Sequence, residues 1–200
     1  MSRVIAIVGT YRRGGMTDQA VDAILDGARR QGAQIRKVYL TDRHIEFCRN
    51  CRFCTQEEGR QRGRCVQEDD LEELLQEVEH SDGIVLGSPV NDFNVTAIFR
   101  RFMERLLGYT YWPWGQAAPK MRSRLRTRRA VLVASAAMPG LLIPLATGAA
   151  RALRLTATTL GAAPVGKLWI GQAAQEPEQK LSPRTTARAV RLGQKLVRGF

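Results

Sequence analysis

The sequence predicts a doubly wound α/β fold, a five-stranded parallel sheet with helices on both faces. Three observations carry this expectation. Short, nearly continuous apolar runs alternate with segments of helical periodicity along the 200 residues. The runs lack the in-out alternation of a half-exposed strand, as expected of parallel strands covered on both sides. Glycine-bearing loops directly follow three of the runs, on the rim where such sheets bind ligands.

Val4-Ile5-Ala6-Ile7-Val8 is the first strand, closed by Gly9. In the helix that follows, Ala20, Ile24 and Ala28 share one face, Val21 and Leu25 lie beside them, and Gly32 is the stop signal. Ile35 to Leu40 reads as the second strand, so the chain opens with a βαβ unit whose crossover should be right-handed. Asp69-Asp70 are placed to cap a helix carrying Leu71, Leu74, Leu75 and Val78 at helical spacing. Strand three covers Gly83 to Leu86, followed by a loop to Phe93 and a helix from about Val95 to Leu107. After an aromatic, arginine-rich excursion from Tyr109 to Arg129 come strand four at Ala130 to Ala134 and a helix over about Leu145 to Leu160. A fifth strand near Pro164 to Ile170 and a last helix from about Pro183 to Val197 complete the alternation. With 44% hydrophobic residues, 1–200 is expected to form a single domain.

The formal charge of +12 and pI of about 10.4 suit a phosphorylated small molecule, an acidic protein or nucleic acid. The charge is dispersed, with concentrations at Arg60-Arg62-Arg64 and Arg122 to Arg129, and reads first as a solvated surface. No apolar run approaches the roughly 20 residues that span a bilayer, and Met1-Ser2-Arg3 leads straight into a strand, so no membrane span or secretory leader is expected. The cytoplasm is the expected location.

The loops Gly9 to Thr17, Ser88 to Asn94 and Ser135 to Gly140 should converge on one rim of the sheet. The first leads into a helix whose free N–H groups and dipole favour a phosphate. Thr10 and Thr17 add hydroxyls, Arg12 adds charge, and Gly14-Gly15 let the backbone come close. The Gly-Lys-Ser/Thr ending of a P-loop and the three-glycine dinucleotide spacing are both missing, so a mononucleotide phosphate fits better. A turn that merely needs glycine would explain the same residues.

The first loop resembles the Gly-Ser-Pro-Arg-x-x-Gly-x-Thr phosphate loop of the NADPH-dependent FMN reductase and flavodoxin-like oxidoreductase family, with Thr10 at the serine position and Tyr11 replacing proline. Ser88-Pro89-Val90-Asn91 resembles the family's Ser-Pro-x-Tyr loop, and Phe102-Met103-Glu104-Arg105 its Phe-x-Asp-Arg. Asn91 stands where tyrosine is common, which leaves Phe93 as a stacking partner for a flavin ring. The resemblance implies a flavodoxin-like fold that binds FMN. Thr10, Arg12, Gly14, Gly15, Met16 and Thr17 would serve the phosphate. Ser88, Pro89, Val90, Asn91, Asp92, Phe93 and Asn94 would serve the ring, with Ser135, Met138, Pro139 and Gly140 at its pyrimidine edge. It further implies reduction by NAD(P)H, transfer to a quinone, another small acceptor or an electron-carrier protein, no protein acid or nucleophile, and a homodimer or homotetramer.

All four cysteines fall in one stretch, Cys48-x2-Cys51-x2-Cys54-x10-Cys65. Four thiolates suit a [4Fe–4S] cluster or tetrahedral zinc. The first three resemble the spacing of bacterial ferredoxins and, within this fold, of iron–sulfur flavoproteins; the gap to Cys65 is longer. An iron–sulfur electron-transfer protein is therefore one alternative, and free or redox-active thiols another. Tyr109, Tyr111, Trp112 and Trp114 beside the arginine run read as a pocket wall or subunit interface before a nucleic-acid surface. A non-catalytic basic binding module is the alternative of another class. His44 and His80 read as surface residues.

Overall fold

The computed structural model describes residues 1–198. In chain order the elements are β1 (Arg3–Val8), α1 (Met16–Arg29), β2 (Gln34–Tyr39), α2 (Leu71–Glu79), β3 (Gly83–Asn91), β4 (Asn94–Val95), α3 (Ala97–Glu104), β5 (Thr110–Tyr111), β6 (Lys120–Met121), β7 (Arg128–Ser135), α4 (Ile143–Ala146), α5 (Ala149–Thr159), β8 (Ala162–Ile170) and α6 (Pro183–Val197). Five parallel strands lie in the order β2-β1-β3-β7-β8, and the short β4 pairs antiparallel with the tail of β3. This is the strand order of the flavodoxin-like doubly wound sheet.

The continuous apolar runs follow from the two-residue period of a strand between two helical layers. Val4, Ala6 and Val8 of β1, with Val85, Val131 and Val133, face α1 and α6. Ile5 and Ile7, with Ile84, Leu86 and Leu132, face α2, α3 and α5, where Leu74, Phe99, Phe102 and Leu153 are fully buried. Helices α1 and α6 touch backbone to backbone. A Cβ on Gly193 would lie 1.8 Å from the Ile24 carbonyl oxygen, and one on Gly27 2.1 Å from that of Val190.

Several boundaries differ from the sequence expectation, each for a tertiary reason. β3 continues past Leu86 to Asn91, because Val90 and Asn91 pair with Val95 and Asn94 in a hairpin turned by Asp92 and Phe93 at positive φ. The expected 95–107 helix starts at Ala97, capped by Thr96, and tightens into a 3-10 segment at Arg105–Tyr109. The expected 145–160 helix is broken at Thr147, which is extended, and the Gly148 N–H donates to Phe93 O at 2.8 Å in the hairpin turn. Of the two expected cap aspartates, Asp69 accepts from Leu71 N at 3.1 Å, whereas the Asp70 carboxylate turns to His44 N at 2.8 Å. The 109–129 excursion contains the β5–β6 hairpin. No helix among the described residues is long and apolar enough to cross a membrane.

Candidate functional site

β1, β3 and β7 are adjacent at the middle of the sheet, so the segments leaving their carboxyl ends meet at the point where the strand order reverses. They enclose a cavity of about 320 Å³ lined by Thr10, Tyr11, Arg12, Gly15, Met16, Thr17, Pro89, Val90, Asn91, Ser135, Ala136, Ala137, Ala173 and Ala174. Larger hollows lie elsewhere, about 640 Å³ beside Cys54 and Cys65 and about 720 Å³ along the β2 edge. Size does not select among them; convergence of free donors does.

Cross-links between the three segments make the site. Thr17 Oγ1 and Ser135 Oγ lie 2.7 Å apart, joining the first helical turn of α1 to the end of β7. Buried Thr96 donates to Gly9 O at 2.5 Å, and its own N–H donates to Ser88 Oγ at 3.1 Å, so the first and second loops share one hydroxyl hub. Tyr11 OH accepts from Ile98 N at 3.1 Å and pins the loop to α3. Gly15, the residue before α1, is extended, and no side chain caps the helix. The first-turn amides, which have no intrahelical acceptor, therefore open at the cavity with the positive end of the helix dipole. Thr10 Oγ1 is turned onto the Arg12 backbone, accepting from Arg12 N at 3.2 Å, while the Arg12 side chain is exposed beside the cavity.

The expected ligand residues divide accordingly. Thr10, Arg12, Gly15, Met16, Thr17, Pro89, Val90, Asn91 and Ser135 come together at the cavity. Gly14 does not line it: at φ +71 it makes the turn, and its N–H donates to Asp18 Oδ2 at 2.7 Å. Ser88 is fully buried, with its hydroxyl on Pro89 O. Asp92, Phe93 and Asn94 form the hairpin rim, with Phe93 exposed and the Asn94 side chain under Gly148. Met138, Pro139 and Gly140 sit against the end of β8, where a Cβ on Gly140 would lie 2.6 Å from Trp169 O. Sequence reading reaches Tyr11, Ala136 and Ala137 only as members of the expected loops, and misses Ala173 and Ala174. The last two follow β8 in a loop that opens with Gly171 but carries no hydroxyl or charge up to Ala174 to mark it.

The four cysteines are free; Cys51 is exposed and the others half-buried. Burial pushes the Cys54 thiol up to about 11, with the neighbouring Cys65, Cys48 and Cys51 adding to the rise. Among the described residues, however, no three Cys, His, Asp or Glu side chains converge on a point that could hold a metal ion. The four thiols thus share a neighbourhood without forming a ligand set. Arg105 is buried beside them, donating from Nη1 to Asp69 Oδ2 at 2.5 Å and from Nη2 to Cys65 Sγ at 3.4 Å. The aromatic excursion packs on this loop rather than on the cavity. Arg52 lies between the Trp112 and Trp114 rings, 3.8 and 4.3 Å from their centroids, and donates to Trp112 O at 2.5 Å. Arg122 donates to Cys54 O at 3.1 Å.

The family model for NADPH-dependent FMN reductase matches residues 2–175. An iron-sulfur flavoprotein from Archaeoglobus fulgidus is 35% identical over 111 residues, covering 56% of this chain and 48% of that protein. The chain spans about half the length of the curated relatives it matches. Among solved structures, an NAD(P)H:quinone oxidoreductase from Methanothermobacter marburgensis superposes with a TM-score of 0.72 at 18% identity, covering 98% of both chains. A flavodoxin from the domain Archaea gives 0.56 at 14% identity, covering 98% of this chain and 96% of that one. At these identities the structural likeness is one of fold.

Proposed function

Because the chain belongs to the NADPH-dependent FMN reductase family, we propose that it binds FMN where β1, β3 and β7 end and passes reducing equivalents from NAD(P)H to a quinone or another small acceptor. The observation that carries this reading is the uncapped start of α1, whose open amides, Thr17 hydroxyl and neighbouring Arg12 suit a phosphate monoester. The residues present fit the cofactor chemically. Bound FMN would supply two-electron redox chemistry at its ring, so the chain itself need provide no acid or nucleophile. Pro89 and Val90 supply an apolar wall, Asn91 a polar edge, and Ala136, Ala137, Ala173 and Ala174 keep the opposite side free of bulk. Met138, Pro139 and Gly140 would act from behind, by fixing the Ser135–Ala137 segment. Phe93 at the rim is placed to cover a ring, and the Asp92 and Asn94 turn holds it there. A cytoplasmic location belongs to the same reading, since four cysteines clustered in one stretch suit metal or redox chemistry rather than a disulfide framework. A homodimer or homotetramer, with the rim near the contact, completes the reading.

FMN titrations of Arg12→Ala and Thr17→Ala test it. Each loses one charge-assisted hydrogen bond, about 1.5–3 kcal/mol or roughly ten- to hundredfold in affinity. Affinities unchanged in both variants would remove the assignment.

A second reading, an iron–sulfur protein of electron transfer, is favoured by the names of the similar proteins and by the grouping of the four cysteines. The thiols as placed do not fit a cluster, because no three converge. Anaerobically purified protein is therefore expected to hold flavin without iron or acid-labile sulfide. About four of each per chain, lost in Cys51→Ser, would establish the second reading instead.

A further inference from the structure

The first turn of α1 carries a feature that phosphate binding alone does not explain: a buried carboxylate beside the proposed anion cradle. Asp18 is 3% exposed. Its Oδ2 accepts the Gly14 N–H at 2.7 Å and the Tyr39 hydroxyl at 3.2 Å, and its Oδ1 meets Lys37 Nζ at 2.6 Å as an ion pair without hydrogen-bond alignment. Lys37 comes from β2, the strand that flanks β1, and also reaches Asp22 at 2.5 Å. Burial opposes the ammonium, but Asp18, Asp22 and Tyr39 outweigh it, so Lys37 holds its proton above the usual lysine range. The same strand end grips the next residue of the loop. The Arg13 guanidinium lies 4.4 Å over the Tyr39 ring and donates to Asp42 Oδ2 at 2.6 Å.

We propose that Asp18 and Lys37 are a positioning pair that shapes the loop for a phosphate monoester, and so sets how strongly this chain prefers FMN over riboflavin. The inference rests on the FMN reading. Asp18 draws the Gly14 amide outward and fixes the turn at Gly14, which leaves the amides after Gly15 facing the cavity. A lone carboxylate in the first turn would repel a phosphate across a partly desolvated gap. Lys37 cancels that charge from the side away from the cavity, since neither it nor Asp18 lines the pocket. The phosphate therefore meets neutral donors and Arg12.

Fluorescence titrations with FMN and with riboflavin, which lacks the phosphate, test the pair. Lys37→Met leaves Asp18 uncompensated and is expected to weaken FMN roughly tenfold while riboflavin changes little. Adding Asp18→Asn removes the repulsion, keeps an acceptor for the Gly14 N–H and should restore FMN affinity. If Lys37→Met does not fold, Asp18→Ala carries the test: it takes the acceptor from Gly14 and should lower FMN but not riboflavin affinity. Equal losses for both flavins, or no loss in any variant, would overturn the positioning role while the wild-type preference for FMN stands. A wild-type chain that binds both flavins equally or neither would overturn the phosphate cradle and the pair together.

Discussion

At the scale of single residues, arginine does most of the long-range tying in this chain. Arg62 shows how. It is drawn from the cysteine-bearing insert onto α2, where it donates to Glu72 Oε2 at 2.8 Å and to Glu79 Oε1 at 2.9 Å. Arg62 holds the Glu72 carboxyl below its usual 4.5, against a smaller opposing push from burial. A depressed folded value means that this stabilisation is complete above the unfolded value and is lost as pH falls through the folded one. The insert around Glu57 to Gln61 is thus expected to stay protected at pH 5–7 and to become cleavable by an acid protease only well below pH 4.5. Arg62→Met should open it at neutral pH. Cleavage rates that do not depend on pH between those limits would show that the pair does not hold the insert.

Among the elements, the contact of α1 with α6 decides how the sheet's first helix is aimed at the site. The two glycines let the helices meet with no side chain between them, so α6 acts as a rigid back-stop for the helix whose start forms the cradle. Gly193→Ala would place a Cβ on the Ile24 carbonyl, which cannot yield as a side-chain tip can. Overpacking of this kind costs about 1–3 kcal/mol or more, against the ~1 kcal/mol that alanine gains over glycine in a helix. We expect a net loss of about 2 kcal/mol in urea denaturation, with Arg191→Ala on the exposed face of α6 within about 0.5 kcal/mol of wild type. A Gly193→Ala chain as stable as wild type would mean that the helices part freely.

For the whole molecule, the proposed homo-oligomer needs a surface that could meet a second copy. The aromatic excursion, expected from sequence to be the apolar contact, is largely occupied by the cysteine loop, leaving Trp114 as its exposed ring. Exposed apolar side chains near the site include Phe93, Leu141 and Leu145, 64%, 72% and 80% exposed, on the hairpin, just before α4 and within α4. Apolar groups gathered at a ligand rim usually mark an interface. Light scattering is expected to give a dimer or tetramer, and Leu145→Asp should shift it toward monomer without loss of fold. A wild-type monomer at all working concentrations would contradict this.

The sequence by itself determined the alternation of strands and helices, down to the bounds of α6 at Pro183–Val197, and which three loops leave the central strands. It could do so because burial between two helical layers writes a local period into the residues. Two of the lining positions illustrate what it could not determine: Ala173 and Ala174 have no chemistry of their own and line the cavity only because β7 and β8 are neighbours. Gly14 and Met138 are motif positions, yet a local hydrogen bond turns the first toward Asp18 and a tertiary one ties the second to the end of β8. The cysteine spacing permits a ligand set, while Arg52, Arg105 and Arg122 fix the loop in a form where the thiols do not converge. Contacts such as Thr17 with Ser135 join residues far apart in the chain, and no local pattern encodes them. Only the packed sheet, by setting which strand ends lie side by side, decides which of the residues with suitable chemistry share one cavity.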